Sequence, residues 1–341
     1  MIKKNKLNNN SKKRFLKINI CFFTFLCSFL ALGFFSPNKA QAQSLELGLY
    51  PPLLEVMIKP GKSITQVYKV INSSDVDLIL KSKIIPFQAA DEFGGIQLLE
   101  NQTSSLSLEW FSFQNADLNL GDQFVLKAGG NQQVVLKIKV PENAPENDYY
   151  LTLLFENQLE PMLGLSASQA QIKIGANILL TVSSSGEPLK KAGIEEFSLD
   201  NALFKIGSYS FIDSFTQPRF ILKVKNLGKT LFKPMGTITV SGWTQQKYLL
   251  DLLPENIITA SSRQLRCFST ANNQPISCVL TPNWQTKLLI GNYQAQVDFG
   301  LDKISSDYQT KTQFIALPFS ILAIVVFLII FLGLIPRFWK K

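Results

Sequence analysis

Cys267 and Cys278, in the stretch RCFSTANNQPISCVL, are the residues best placed for covalent chemistry. Two cysteines in an exported chain point to a disulfide. A bridge closing a loop of about a dozen residues stabilises by ~3 kcal/mol, because it restricts the unfolded chain. Asn272-Asn273-Gln274-Pro275 would form the turn between them; the alternative is two free thiols on adjacent strands. The spacing excludes a CxxC redox motif and a zinc site. The other two cysteines, Cys21 and Cys27, lie in a leader segment described below.

Other reactive constellations are missing. The chain has no histidine. That removes Ser-His-Asp and Cys-His nucleophilic systems and His-ligated metals. No GxGxxG, P-loop or HExxH sequence occurs, and these are the motifs that would cradle phosphates or hold zinc. Asp91-Glu92 and Glu195-Glu196 are adjacent on the chain. In an extended strand such neighbours point to opposite faces, so they do not make a catalytic carboxylate pair. Asp91-Glu92-Phe93-Gly94-Gly95 reads as a turn, with a Ca²⁺ loop as the alternative; its few carboxylates do not form an EF-hand-type loop. Asn72-Ser73-Ser74 and Asn101-Gln102-Thr103 match the glycosylation sequon and are read as turns. No enzyme, cofactor or metal is expected.

Aromatic residues offer a different chemistry, that of recognition. Trp110, Phe111 and Phe113 stand in LEWFSFQ, and Tyr149 and Tyr150 in NDYYLTLLF. Alternate residues of a strand face opposite sides. Trp110 and one of Tyr149 or Tyr150 are therefore candidates for a wet binding face. The alternative is that Trp110, Phe111 and Phe113 form core and edge packing.

The ends of the chain place these residues. Lys3, Lys4, Lys6, Lys12, Lys13, Arg14 and Lys17 precede an uncharged apolar run from Ile18 to Phe35, then Ala40-Gln41-Ala42. Basic, apolar, small-x-small is the order of a secretory signal, 1–42, cleaved after Ala42; the alternative is an uncleaved anchor. Leu26, before Cys27, is unsuited to a lipobox. At the other end, Phe314 to Pro336 carries no charge, and Arg337, Trp339, Lys340 and Lys341 follow. About 20 apolar residues cross a bilayer, and cations favour the cytoplasmic side. The expectation is one transmembrane helix, 314–336, a cytoplasmic tail, 337–341, and a body outside the cytoplasmic membrane. The net charge of +9 is topogenic: it resides in the leader and the tail, so no basic patch for nucleic acid remains.

Between the ends the pattern is all-β. Strand-like runs, among them Leu53–Ile58, Thr65–Ile71, Leu78–Ile85, Gln133–Val140, Tyr149–Glu156 and Ile172–Val182, are separated by Gly, Pro and Asn turns. A second series includes Phe220–Asn226, Gly236–Ser241, Tyr248–Leu253, Gln264–Phe268 and Tyr293–Phe299. Two tandem immunoglobulin-like β-sandwiches are expected, at 43–185 and 186–312. Ser183 to Pro188 is the expected linker, leaving few contacts between them.

YPPLLEVMIKPGKSITQVYKVINSSDVDLILK, EFGGI and VPENAPENDYYLTLLFE resemble the N-terminal domain of the WxL-interacting proteins of Gram-positive bacteria. FILKVKNLGKTLFKPMGTITV, LLPENIITASSRQL and GNYQAQVDFG are similar to the second domains of anchored Ig-like surface proteins. The first domain also resembles periplasmic pilus chaperones, but carries Glu46-Leu47-Gly48 where those chaperones need a basic residue. The resemblance implies a membrane-tethered binding or scaffolding protein that holds an envelope or secreted partner protein, or peptidoglycan. A chaperone-like assembly factor for exported or pilus-like subunits is the alternative.

The leader makes one direct expectation. The mature chain should begin at Gln43, read by intact-mass spectrometry. A mass that still includes Met1 would instead mean two membrane anchors.

Overall fold

Alternation of apolar and polar residues sets the strands. In the computed structural model, β1 (Leu47–Tyr50), β2 (Leu53–Ile58), β3 (Ser63–Asn72), β4 (Leu78–Ala89), β5 (Ile96–Leu98), β6 (Phe111–Phe113), β7 (Gln123–Leu126), β8 (Asn131–Lys139), β9 (Asn147–Asn157) and β10 (Lys173–Val182) build the N-terminal half. Described are residues 45–101, 106–158, 171–244, 247–268, 275–279 and 288–338; side chains at 106–107, 275–276 and 332–338 are not. The leader with Cys21, Cys27 and Ala42, the turn at Asn272 to Gln274, and Trp339 lie outside the described residues.

Strand β8 shows the rule. Val134, Leu136 and Ile138 are fully buried, while Gln133, Lys137 and Lys139 alternate with them towards solvent. One sheet has the order β1-β3-β8-β6, and the other β2-β10-β9-β4-β5 with β7 also on β4. Their inner faces share one core that includes Tyr68, Leu80, Leu136, Ile138, Leu153 and Phe155. The first strand changes sheets: β1 pairs antiparallel with β3, and β2 pairs parallel with β10. Pro51-Pro52 lies at the crossing. Neither proline has an N–H to continue the first ladder.

The C-terminal half contains β11 (Ala192–Leu199), β12 (Phe204–Ile206), β13 (Tyr209–Asp213), β14 (Arg219–Asn226), β15 (Pro234–Gly242), β16 (Lys247–Asp251), β17 (Ser262–Gln264), β18 (Cys267–Phe268), β19 (Pro275–Ile276), β20 (Cys278–Val279), β21 (Gly291–Leu301) and β22 (Tyr308–Leu317). Its larger sheet runs β12-β13-β22-β21-β15-β16, and β11-β14-β17 with β20 lies opposite. Phe220, Phe232, Val297, Phe299 and Phe314 lie in a second core. Residues 45–341 are one compact unit with these two cores.

The two halves use the same device where a central strand ends. Asn72, closing β3, is buried, and its side-chain amide donates to the carbonyls of Val76, Leu126 and Lys127 at 2.8, 3.1 and 3.1 Å. Its Oδ1 accepts from Ser74 N. Asn226, closing β14, donates to Thr230 O and Ile257 O, both at 2.9 Å, and accepts from Gly228 N at 2.8 Å. Asn72-Ser73-Ser74 is thus a turn held by a buried amide.

One boundary differs from the sequence expectation. The uncharged run from Phe314 was read whole as a membrane helix, but Phe314 to Leu317 completes β22. Phe314 and Ala316 are fully buried, alternating with half-buried neighbours. The helix, α1 (Phe319–Phe338), begins after Pro318. Its described side chains end at Phe331, and among the described residues no helix is long and apolar enough to cross a membrane.

Cys267 and Cys278 form a disulfide with a Cα–Cα distance of 4.9 Å. Both are fully buried, and Cys278 pairs with Phe220 of β14. The bridge therefore fastens the β18–β20 excursion into the second core as well as closing a loop. Cys267→Ser is expected to cost about 3 kcal/mol in denaturant unfolding under non-reducing conditions. A cost below about 1 kcal/mol would mean that core packing alone fixes this excursion.

Candidate functional site

The outer face of the sheet β2-β10-β9 carries polar residues in register. Glu55, Leu179 and Tyr150 stand side by side, as do Met57, Thr181 and Asp148. An antiparallel sheet commonly leaves such a face to solvent. Here the loops of the C-terminal half cover it.

Asp148 is the centre of the contact and is 6% exposed. Its carboxylate accepts from Thr181 Oγ1 at 2.7 Å, Tyr150 Oη at 2.7 Å and the backbone N–H of Leu231 at 2.5 Å. Tyr150 Oη also accepts from Thr259 N at 3.0 Å and lies 2.7 Å from Thr259 Oγ1. Burial, and after it the Asp148 carboxylate, pushes the Tyr150 phenol above its ordinary pKa. The carboxylate is hydrogen-bonded from both halves, which offsets the cost of burying it.

Ion pairs flank this centre. Glu55 accepts from Lys233 Nζ at 2.6 Å and from the side-chain amide of Asn256. Lys223 Nζ lies 2.5 Å from Glu92, and the hydrogen bond to that carboxylate raises the lysine pKa. Glu92 O accepts from Gln264 N at 2.7 Å. Arg263 donates to Glu255 at 2.7 Å and to Asn256 O at 2.9 Å, and its guanidinium lies over Gly94. A Cβ on Gly94 would stand 2.5 Å from Arg263 Nη2, and φ there is +91°. The positive φ favours glycine there, and a side chain would also displace the Arg263 guanidinium. Asp91 spends its carboxylate on its own turn, accepting from Phe93 N and Gly95 N at 2.8 Å each. Among the described residues no group of three or more His, Cys, Asp or Glu could hold a metal ion.

Two sequence expectations are corrected here. Few contacts were expected across Ser183 to Pro188; instead a polar seam joins the halves, because Asp148 and Tyr150 of β9, Glu55 of β2 and Glu92 find hydrogen-bonding or charged partners in the second half. The aromatic patch also fails to assemble on a wet face. Trp110 is 8% exposed, its ring 4.8 Å from Tyr149 in an edge-on contact. Tyr149 is half-buried and donates to Pro145 O at 3.1 Å. Tyr150 faces outward, but into the seam. Trp110 contributes only a rim to a groove that also holds Lys139, Glu142 and Pro145.

The seam leaves two clefts beside β2. Leu53, Phe87, Asn177, Leu179, Ile258 and Arg263 line one. Glu55, Met57, Thr181, Leu231, Lys233 and Asp302 are among the residues lining the other. β2 is an edge strand, paired only with β10 among the described residues. Asn177 N donates to Pro52 O and Ser183 N to Ile58 O, so the even-numbered carbonyls face β10 and residues 53, 55 and 57 direct their backbone groups outward. Leu53 and Met57 are each 43% exposed on that edge. Nothing in the strand pattern alone marked β2 as an edge, because edge status depends on which strands become neighbours.

No protein-family model matches the sequence, and no curated protein matches it. The class 5 fimbriae chaperone CfaA is similar over 80% of this chain and 100% of its own, at 11% identity and a TM-score of 0.36. The Escherichia coli chaperone DraB is similar over 80% and 97%, at 15% identity and a TM-score of 0.32. The CsuC–CsuE chaperone–tip adhesion subunit complex of Acinetobacter baumannii Csu pili contains a chain similar over 70% and 98%, at 11% identity and a TM-score of 0.32.

Asp148→Ala removes the acceptor for Leu231 N, Thr181 and Tyr150. It is expected to destabilise the chain by about 3 kcal/mol in guanidinium unfolding of the detergent-solubilised protein. It should also split one transition into two, since the halves lose their shared carboxylate. A single unshifted transition would show that the seam does not couple them.

Proposed function

We propose that the chain is a membrane-anchored, extracytoplasmic, chaperone-like binding protein. In this reading it takes an extended segment of an exported partner protein along β2. The free edge of β2, with exposed Leu53 and Met57 between two clefts, carries the reading. Main-chain hydrogen bonds from an added strand give affinity, and the clefts select alternate side chains. An open apolar edge otherwise invites aggregation.

The anchor and location belong to the same proposal. Ile321, Leu322, Ile324, Val325, Phe327, Leu328, Ile330 and Phe331 of α1 are all exposed, and the sequence continues uncharged to Pro336 before Arg337, Lys340 and Lys341. An apolar helix surface of this kind is costly in water and favourable in hydrocarbon. The basic leader and this helix together support a body outside the cytoplasmic membrane, made of two Ig-like domains that share the seam.

Photo-cross-linking residues placed at Leu53 and Met57 in the intact chain are expected to trap exported polypeptides. The same group at Ile304 should not. Met57→Pro should abolish the adducts without unfolding β2, because that N–H points away from β10. Adducts that vanish when synthesis stops mark a chaperone; adducts that persist mark a scaffold. Equal yields at Ile304 and Met57 would overturn the edge as the binding site.

A further inference from the structure

The junction between β22 and α1 is short and hydrogen-bonded. Only Pro318 separates the last strand residue from the helix. Ser214 N donates to Leu317 O at 2.9 Å, and Ser320 N donates to Asp213 Oδ2 at 2.6 Å. Asp213 Oδ1 also accepts from Phe215 N at 3.0 Å. These backbone N–H groups, Phe215 first and Ser320 next, hold the Asp213 carboxyl below its ordinary pKa. The carboxylate therefore caps the helix start from within the sandwich. Phe319 packs on Phe204, with ring centroids 5.6 Å apart. There is no spacer between sandwich and helix.

Among the described residues, the end of the C-terminal half from which α1 leaves carries several exposed large apolar side chains. Register fixes which residues share that end. Gly291 pairs with Ala316, and Gly242 with Tyr293. Leu289 N donates to Ser214 O at 3.0 Å, and Leu203 N to Phe211 O at 2.8 Å. So Leu203, Phe215, Trp243, Leu288 and Ile290 lie level with the last residues of β22, and all five are exposed. Trp243 donates its indole N–H to Ile290 O at 2.6 Å. Its polar atom is thereby satisfied. Gly291, at φ +100°, leaves room for the ring, which a Cβ would meet at 2.5 Å. The opposite end carries Asp302, Lys303 and Asp307 around Ile304.

We propose that this end, through Phe215, Trp243, Leu288 and Ile290, is seated in the interfacial layer of the lipid bilayer. The inference rests on α1 being the membrane anchor. Its own ground is the continuity of that helix with an aromatic and aliphatic ring and the absence of a spacer. Exposed Trp and Phe at this level match the chemistry of the headgroup boundary, where amphipathic rings are favoured.

The test uses the full chain with Cys21→Ser and Cys27→Ser, reconstituted in phosphatidylcholine–phosphatidylglycerol vesicles. Single nitroxide labels are placed at Phe215→Cys, Ile290→Cys, Val325→Cys and Ile304→Cys, with the Cys267–Cys278 bridge left intact. Collision rates with oxygen and a water-soluble nickel chelate give depth. Val325 should lie deep in hydrocarbon, Phe215 and Ile290 within about 5–10 Å of the headgroup–acyl boundary, and Ile304 in water. Phe215 and Ile290 as nickel-accessible as Ile304, with Val325 protected, would overturn the seating while leaving the anchor. Val325 accessible to nickel would overturn both.

Discussion

One buried carboxylate constrains the rest of the molecule. Asp148 takes hydrogen bonds from Tyr150 and Thr181 of its own sheet and from the backbone of Leu231 in the other half. Burying a carboxylate is tolerable only if its lone pairs are satisfied. The loop holding Leu231 must therefore sit against β9 and β10, and Tyr150 must meet Thr259. Glu55 with Lys233, and Glu92 with Lys223, extend the same seam to either side. Such partly exposed pairs each contribute little, roughly 0–1 kcal/mol, so they set orientation more than stability. β2 consequently runs along a fixed cleft rather than at the edge of a freely moving half.

Much of the fold was legible because it follows local rules. Val134, Leu136 and Ile138 alternate with polar partners, and that alternation placed β8 within two residues of its limits. Asn72 was legible as a turn from its Asn-x-Ser pattern, and Asn226 as the end of a strand. Their matching roles were not, because Leu126 O and Ile257 O are acceptors supplied by segments distant in sequence. Short strands such as β12 and β19 lack enough residues to show a period. Phe314 and Ala316 were absorbed into the following apolar run, since a buried strand and a membrane helix read alike in hydropathy.

The candidate site was less legible, and for a single reason. A polar residue alternating along a strand signals an outward face, and it does not say whether water or another part of the chain meets that face. One of Tyr149 and Tyr150 was expected on a wet face; Tyr150 is the outward one, and it meets Thr259. Trp110, Phe111 and Phe113 follow the core-packing alternative, and Trp110 sits at the end of a 3₁₀ turn, Leu106–Trp110, where strand alternation does not apply. The signal that could have found the seam was the density of hydrogen-bonding side chains on successive outward positions: Asp148, Tyr150 and Thr152 on β9, with Asn177 and Thr181 on β10. Thr152 Oγ1 in fact donates to Asn177 Oδ1 at 2.9 Å. A face meant only for solvent has no need of such mutual satisfaction.

These contacts join into one mechanical path. α1 is fastened to Asp213, and β13 lies in register with β22 through five residue pairs from Tyr209–Gln313 to Asp213–Leu317. β22 pairs with β21, and β21 with β15, whose preceding loop carries Leu231 and Lys233 to Asp148 and Glu55. Every step is a sheet ladder, a part-buried hydrogen bond or, at Glu55, a partly exposed ion pair. In an anchored chain this path would hold the edge of β2 at a fixed height and orientation above the bilayer. A partner segment then loses less orientational freedom on docking than it would against a body on a loose stalk, because the receptor edge is already ordered. In that proposed reading the edge would meet only segments that pass at its own level, so selection by position would accompany selection by the clefts at Leu53 and Met57, and both would follow from how Asp148 and Asp213 are held.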